Sequence, residues 1–225
     1  MAEQTAGSFT QSPAVTQFSV LYGQVQSYVM SPSDTSAATL AKRWINDAIR
    51  KLNQRNWSWS LAAATITFTA GEGGREYALQ TNYKAPRSFE LLDSSSRIVG
   101  NLAYRPPRTF DEEFPDRAST DPSAYTVFNV LDNGYLTLSG PPSSGWVTAY
   151  PTGRLRYYKR IALLSGDTDL IVAPTEVEPF VLWRACADAA AFFVPSKVAY
   201  ADQRANEEWR ALVKADVKNE LTDWD

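Results

Sequence analysis

The sequence contains no histidine and a single cysteine among its 225 residues. Without histidine it lacks the usual proton-transfer group near neutral pH, the His ligands of zinc sites and the Ser-His and Cys-His nucleophile pairs. One cysteine excludes a disulfide framework within the chain. We therefore expect no enzyme, no cofactor and no metal site.

Long apolar runs are also missing. No stretch approaches the about 20 apolar residues of a membrane span, so no membrane partner is expected. The first eight residues lack a charged segment followed by an apolar one, which predicts that the chain is made in the cytoplasm. Cys186 lies in an apolar run that starts at Phe180, where a cysteine is typically a small buried hydrophobe.

The overall composition is that of a folded globular protein, with 44% hydrophobic and 21% charged residues. The formal net charge of −3 argues against a nucleic-acid binder that works through overall charge, although a local basic patch stays open. Aromatic residues make up 12%, which fits either a large core or extensive protein contacts.

Four segments carry apolar residues at helical spacing. The pattern predicts helices over residues 18–30 and about 40–56, a third from Pro174 to Phe193, and a fourth from Pro195 to about Glu220. The third is apolar almost all round, so we expect it to be buried.

Residues 57–172 instead carry short stretches rich in Thr, Tyr, Phe and Val between turn residues, which predicts strands. Residues 65–69 and 75–79, joined by a glycine-rich turn, are predicted to form a hairpin. Asp132-Asn133-Gly134 is a second hairpin signal, and a short helix is expected near Phe110. Further strands are expected at residues 87–92, 97–104, 125–130, 135–138 and 154–160.

This layout predicts an α+β fold, in which a helical bundle formed by both chain ends carries an inserted antiparallel β-sandwich-like domain. The bundle comprises residues 17–60 and 173–220, and the insertion comprises residues 61–172. Residues 1–16 form a flexible N-terminal arm and residues 221–225 a C-terminal tail.

Three groups of residues are candidates for chemistry or recognition. Acidic side chains at Asp111, Glu112, Glu113, Asp116 and Asp121 are compatible with the carboxylate pair of a glycoside hydrolase, but a solvated acidic segment is far more common. Trp57 and Trp59 should point to opposite sides of an extended segment. One closes the helical core, and for the other core packing is favoured over an interface or a sugar-stacking surface. The third group is either a contact patch or a solvated loop: Arg97, Arg105 and Arg108, with Phe110 and Phe114.

The order of several segments carries a resemblance. Residues 42–59 read Lys-Arg-Trp-Ile-Asn-Asp-Ala-Ile-Arg-Lys-Leu-Asn-Gln-Arg-Asn-Trp-Ser-Trp, and Glu76-Tyr-Ala-Leu follows in a strand. Paired strands at residues 123–138, Arg154–Arg160 and the alanine-rich helix at residues 185–193 complete the series. Over residues 17–215 this order resembles the head-to-tail adaptor, or connector, proteins of tailed bacteriophages, although Gln80 replaces the family's usual proline.

The resemblance implies a structural virion protein of the neck, assembled in the host cytoplasm. Such a protein forms a dodecameric ring between the portal protein and a downstream tail or nozzle protein. The ring lines the DNA exit channel. The expected partners are other copies of the chain, the portal protein and the tail or nozzle protein, and passing DNA makes transient, non-specific contact. On this basis we expect portal docking through Trp209, Leu212, Leu221 and Trp224, and subunit or tail contact through Arg97, Arg105, Arg108, Phe110 and Phe114. The alternative is a β-sandwich module of a virion that binds carbohydrate or a receptor through Trp57, Trp59 or Trp146.

Overall fold

The computed structural model describes residues 16–29, 35–71, 74–114, 127–130 and 134–222. These residues contain both helices and a β-sheet, so the predicted α+β class is confirmed. The α-helices are α1 (Phe18–Tyr28), α2 (Thr35–Leu52), α3 (Pro107–Glu113), α4 (Ser144–Ala149), α5 (Val177–Phe193) and α6 (Val198–Thr222). Short 3₁₀ helices span Ser58–Ser60 and Pro195–Lys197. None of the helices described is both long and apolar enough to cross a membrane.

The chain divides into two compact units. The helical unit takes the described residues up to Ser60 and from Ile161 onward, and the β unit is Leu61–Arg160. Residues 161–172, which the sequence assigns to the insertion, therefore group with the helical unit.

Helices α1, α2, α5 and α6 share one hydrophobic core. On α2 the buried positions Ala41, Ile45, Ala48, Ile49 and Leu52 recur every three or four residues, so one stripe of this helix faces the core. The opposite face carries charged side chains in water. The helices predicted from this periodicity are confirmed, although α2 begins earlier than expected.

Helix α5 contacts α1, α2 and α6. Its alanines Ala185, Ala187 and Ala189 are buried, and side chains this small let the neighbouring helices approach closely. The prediction that the whole helix is buried is wrong at its C-terminal end, where the Phe192 side chain is 69% exposed.

Two asparagines, Asn46 in α2 and Asn53 just after it, bind the segment that follows the β unit. The side-chain amide of Asn53 donates to the carbonyl of Ile161 at 2.9 Å and accepts from its backbone N–H at 2.8 Å. Asn46 makes the same pair of bonds to Leu164, both at 2.9 Å. Each amide thus replaces a strand partner for an otherwise unpaired backbone, which explains why residues 161–172 group with the helices.

The described residues of the β unit form seven strands: β1 (Leu61–Thr67), β2 (Glu76–Ala78), β3 (Tyr83–Leu92), β4 (Ile98–Tyr104), β5 (Val127–Val130), β6 (Tyr135–Leu138) and β7 (Thr152–Lys159). Their order in the sheet is β1-β7-β3-β4-β5-β6-β2. The predicted hairpin between β1 and β2 is wrong, since these strands lie at opposite edges and pair with β7 and β6. A turn signal predicts that the chain bends, but it does not predict which strand the next strand will pair with.

The insertion also differs from the expected antiparallel sandwich. Its strands belong to one curled sheet, and β4 pairs with β5 in parallel, with Ala103 opposite Val127. Because the sheet curls, one face encloses the core without a second sheet. Strands β5 and β6 pair as predicted, and Gly134 between them has φ +83°, whereas Asp132 and Asn133 lie outside the described residues.

The core of the β unit comes from alternate residues on its strands, such as Phe89 and Leu91 on β3 and Leu155 and Tyr157 on β7. Gly153 lies against the Phe89 and Phe68 rings, and a Cβ at this position would approach the Phe89 ring to 2.4 Å. Helix α4 was not predicted. Its N-cap Ser143 accepts a hydrogen bond from Trp146 N at 3.1 Å.

Candidate functional site

The three arginines of the predicted contact patch each bond a nearby carboxylate. Arg97 pairs with Asp93 at 3.0 Å in the turn between β3 and β4, and Arg105 bonds Glu113 at 3.2 Å. Arg108 bonds Glu112 at 3.0 Å within α3. These pairs are local and lie near the surface, so they contribute little to folding. Each arginine therefore has a carboxylate partner close to it in the chain.

The two phenylalanines of the same patch differ. Phe110 is fully buried, and its ring centre lies 5.2 Å from that of Phe114, which is half-buried. Phe110 therefore anchors α3 to the β unit and is not accessible to a partner.

The acidic residues on α3 lie at the surface. Asp111, Glu112 and Glu113 are all exposed, and the last two bond arginines. Asp116 and Asp121 lie outside the described residues. Among the residues that the structure describes, no group of three or more Cys, Asp or Glu side chains is placed to hold a metal ion.

Trp57 and Trp59 point the same way, contrary to the extended segment expected. A 3₁₀ turn at Ser58–Ser60 stacks the two rings at 5.7 Å with an interplanar angle of 21°. Trp57 is 1% exposed and donates from Nε1 to the Leu52 carbonyl at 2.8 Å. Trp146 packs against Phe68 at 4.8 Å in the other core. Trp57 is therefore a core residue, whereas Trp59 and Trp146 are half-buried and pack against the two cores.

Cys186 lies in the core of the helical unit at 3% exposure. Burial raises the pKa of its thiol to about 12, because the apolar surroundings disfavour the thiolate. A neutral thiol of this kind is not a nucleophile at neutral pH.

An apolar groove lies along α6. Trp209, Val213 and Val217 are spaced by four residues and therefore lie on one stripe, with Arg210 and Lys214 beside them. Together these five residues line a depression of about 410 Å³. Leu212, one of the predicted docking residues, is buried instead, and Trp209 also packs inward, with ring centres 5.3 Å from Trp57 and 5.0 Å from Phe180.

The remaining predicted docking residues belong to the last turn of α6 and the residues after it. Trp224 lies outside the described residues, and Leu221 is placed at the end of α6, with its side chain outside them. Val213 and Val217 were not predicted to contact a partner. Their spacing from Trp209 was the available signal, but it equally fits a helix stripe that faces the core.

A second exposed apolar surface, the aromatic patch, is formed by Trp44, Phe192 and Phe193. The ring of Trp44 lies 6.2 Å from Phe192 and 6.0 Å from Phe193, and the two phenylalanine rings are 4.9 Å apart. Phe193 and Trp44 are half-buried, whereas Phe192 projects into solvent. An aromatic side chain that stays exposed on a folded chain is typical of a protein contact.

Neither exposed surface has the polar groups of an active site, and both have the composition of protein contacts. A family model described as "SU10 adaptor protein" matches residues 16–225 of this chain. The chain belongs to the SU10 adaptor protein family. The resemblance to phage adaptors inferred from the segment order is thereby confirmed. No curated protein matches the chain significantly.

Membership in this adaptor family supports a structural role in a bacteriophage virion, together with other components of its neck. For this adaptor, the two apolar surfaces on the helical unit are the candidate functional sites. The sequence analysis named Trp209 of the α6 groove as a docking residue, but it placed Phe192 of the aromatic patch in the core.

Proposed function

We propose that this adaptor forms a dodecameric ring between the portal protein and the downstream tail or nozzle protein of a tailed bacteriophage. In this proposal the ring assembles in the host cytoplasm, carries no catalytic activity and lines the channel through which DNA leaves the head. The helical bundle built from both chain ends makes the ring. The observation that carries the proposal is the family match over residues 16–225.

The aromatic patch is the proposed contact between neighbouring copies. A ring needs a heterologous interface, in which two different surfaces of the same chain meet around a rotation axis. Phe192 is 69% exposed beside Trp44 and Phe193, which gives a single projecting ring supported by two others. An aromatic ring of this kind becomes buried when the partner binds, and a few such anchors supply most of the binding energy of a protein interface.

The groove on α6 is the proposed portal contact, together with Leu221 and Trp224 at the chain's end. The groove residues Trp209, Val213 and Val217 offer an apolar surface, and Arg210 and Lys214 add positive charge at its side. Leu212 contributes by holding α6 in the core and makes no contact of its own. An amphipathic partner helix with acidic flanks fits such a groove.

Arg97, Arg105, Arg108 and Phe114 remain the proposed contacts with a neighbouring subunit or the tail, and the buried Phe110 supports them from inside. The side chains of Arg97 and Arg108 are 78% and 91% exposed, so a partner carboxylate can compete for them. The net charge of −3 suits a channel wall that passing DNA touches only transiently.

Electron microscopy of the protein alone and mixed with a candidate portal protein tests the ring. We expect closed rings in at least the mixed sample, and we expect Phe192→Ser to reduce ring formation because it removes the projecting aromatic anchor. Val172→Ser is a matched control, since Val172 is also an exposed apolar residue of the helical unit but is not part of the aromatic patch. A monomer in both samples would overturn the proposal.

Portal docking is tested separately by a pull-down with portal rings. We expect Val217→Asp to weaken docking, because it places a carboxylate in the apolar groove, and a chain that ends at Glu220 to dock more weakly because it lacks Leu221 and Trp224. The control Val172→Asp places the same carboxylate at an exposed apolar residue outside the groove and should dock like the wild type. Equal docking by all four proteins would show that the portal contact lies elsewhere.

A further inference from the structure

One face of strands β3 and β7 points away from the core of the β unit and carries arginines. Leu155 and Tyr157 of β7 belong to that core. Because successive side chains of a strand point to opposite faces, Arg154 and Arg156 lie on the other face. Glu90 of β3 is opposite Arg154 in the ladder and lies there too. We call this surface the basic face, and its residues are Arg87, Ser88, Glu90, Arg154, Arg156 and Tyr158.

A single carboxylate holds two of these arginines side by side. Glu90 accepts a hydrogen bond from Nε of Arg154 at 2.6 Å through Oε2, and its Oε1 lies 3.4 Å from Nε of Arg156. The Glu90 side chain is 12% exposed, whereas that of Arg156 is 49% exposed. The carboxylate is therefore largely covered, while a guanidinium group that it positions reaches the solvent. Each guanidinium has five N–H donors, so both arginines keep donors for a further acceptor.

Positive charge is in excess on this face. Arg87 adds a third guanidinium, which donates from Nη1 to the Tyr158 hydroxyl at 3.3 Å, and this hydroxyl is a neutral acceptor. Three arginines and one carboxylate give the basic face a formal charge of +2, on a chain whose formal net charge is −3. The positive charge is thus concentrated locally, and an anion is the ligand that it attracts.

The surface around the arginines lacks the apolar centre of a protein contact. Strands β1, β3 and β7 are described over their whole length, and none of the exposed large hydrophobic residues of the β unit lies on them. The edge strand β1 places Ala63 opposite Arg156 and Thr65 opposite Arg154. Protein interfaces have an apolar or aromatic centre, as the aromatic patch has. A surface of guanidinium and hydroxyl groups without such a centre is typical of contacts to nucleic-acid phosphate and sugar.

We propose that the basic face binds the phosphate backbone of DNA without reading its sequence. The planar fork of a guanidinium matches two phosphate oxygens, and Glu90 holds Arg154 and Arg156 ready for this contact. A charge of +2 makes the contact weak and sensitive to salt, which suits DNA that moves past the protein. The inference deepens the transient DNA contact proposed above and rests on that proposed channel for the source of the DNA.

Fluorescence anisotropy of a labelled DNA duplex, titrated with the full chain, measures the contact. We expect saturable binding at about 50 mM salt that is largely lost at about 200 mM, because each phosphate contact releases counter-ions from the DNA. A duplex of the same length and a different sequence should bind equally, since phosphate contacts carry no sequence information.

Variants locate the binding surface. Arg154→Gln and Arg156→Gln should each weaken binding at the lower salt about threefold or more and should reduce the slope of log affinity against log salt concentration by about 1. Glu90→Gln should strengthen binding about twofold or more, because it removes the negative charge between the arginines and keeps an acceptor for one of them. A merely structural role of Glu90 does not produce tighter binding.

Arg204→Gln is the matched control. It removes the same charge from the helical unit, at a partly exposed arginine that lies between the carboxylates of Glu207 and Glu208. These two carboxylates leave no excess of positive charge there, so this variant should bind DNA like the wild type. Circular dichroism spectra that match the wild type show that each variant is folded.

Four results would overturn the inference. The first is a lack of saturable binding at the lower salt, and the second is undiminished binding by Arg156→Gln or an equal loss with Arg204→Gln. The third is a Glu90→Gln variant that binds no more tightly than the wild type. The fourth is a capped peptide of Glu and Ser that binds more tightly than the duplex and loses affinity with Arg156→Gln, which would assign the face to an acidic protein segment.

These titrations need neither a ring nor a portal protein, so they separate this inference from the proposed function. Rings in electron micrographs together with no DNA binding would remove the basic face as a DNA contact and leave the ring in place. DNA binding that depends on Arg156 in a chain that stays monomeric with the portal would remove the ring and leave the basic face.

Discussion

Asp216 accepts two hydrogen bonds from Ser58, one from the backbone N–H and one from the hydroxyl, each at 2.7 Å. The carboxylate is 1% exposed and also lies 3.4 Å from the Arg55 guanidinium. A buried charge is tolerated only when such groups replace its water. These bonds attach α6 to the turn that carries the stacked tryptophans.

Replacing Asp216 should therefore destabilise the helical unit. For Asp216→Ala we expect a loss of about 2–4 kcal/mol in the free energy of unfolding, because the Ser58 N–H and hydroxyl lose a charged acceptor. Urea unfolding followed by tryptophan emission measures this, since Trp57 and Trp209 lie in that core. Glu207→Gln, in an exposed pair with Arg204, is the control and should leave the free energy of unfolding nearly unchanged. Equal effects would mean that Asp216 is not a structural anchor.

Stability should depend on the amide group of Asn53, and replacing the residue by Asp should be as damaging as replacing it by Ala. Asn53→Ala removes both bonds to Ile161 and should cost about 1–3 kcal/mol. Asn53→Asp should cost at least as much, because one carboxylate oxygen then faces the Ile161 carbonyl. The exposed Asn206→Ala serves as control and should be neutral or slightly stabilising in α6. Chemical denaturation provides the comparison, and a neutral Asn53→Asp would contradict the proposed pairing.

Gly153 should not tolerate a methyl group. A Cβ there would lie 2.4 Å from Phe89 Cε2 and 2.8 Å from Phe68 Cζ, so Gly153→Ala should cost about 1–3 kcal/mol through overpacking. Gly145 has nothing within 4 Å of such an atom, and Gly145→Ala should leave the thermal midpoint nearly unchanged. Adding Phe89→Leu to Gly153→Ala should recover part of the loss. If it recovers nothing, steric overlap with Phe89 is not the cause.

Replacing the buried polar residue Thr137 by an apolar one should not reduce stability. Its hydroxyl on β6 is fully buried and has no hydrogen-bond partner among the described residues, so Thr137→Val should be neutral or stabilise the β unit by about 1 kcal/mol. The exposed Thr67→Val on β1 controls for strand preference and should change stability by less than about 0.5 kcal/mol. Thermal unfolding compares them. A clear loss for Thr137→Val would indicate a buried water bonded to the hydroxyl.

Cys186 should resist alkylation in the folded protein. Burial raises its pKa from 9.0 to about 12, so at pH 8 the thiolate fraction is roughly a thousandfold smaller than in the unfolded chain. We expect iodoacetamide to label Cys186 only in urea, as measured by mass spectrometry. Ser196→Cys in a Cys186→Ala background places the thiol at an exposed position and should be labelled without urea. Rapid labelling of folded Cys186 would show that the core opens readily.

Some features of the protein follow from the sequence alone. Helices α1 and α2 have apolar residues at regular helical spacing, and β6 lies where alternation predicts it, because these patterns depend only on neighbours along the chain. The lack of histidine excludes catalysis that uses a histidine side chain. The order of the segments is enough to indicate the adaptor family.

Other features depend on tertiary structure. Strand β1 pairs with β7, almost 90 residues further along the chain, and no local signal at the turn after β1 names that partner. Periodicity identifies apolar residues but not which of them are covered, so it places Phe192 in the core although α5 extends it into solvent. Asp216 and Arg160 are both simply charged residues in the sequence, yet Asp216 is buried against Ser58 and Arg160 lines a pocket beside Lys84. Burial is set by groups that approach from distant parts of the chain, which is why only the fold decides the sites.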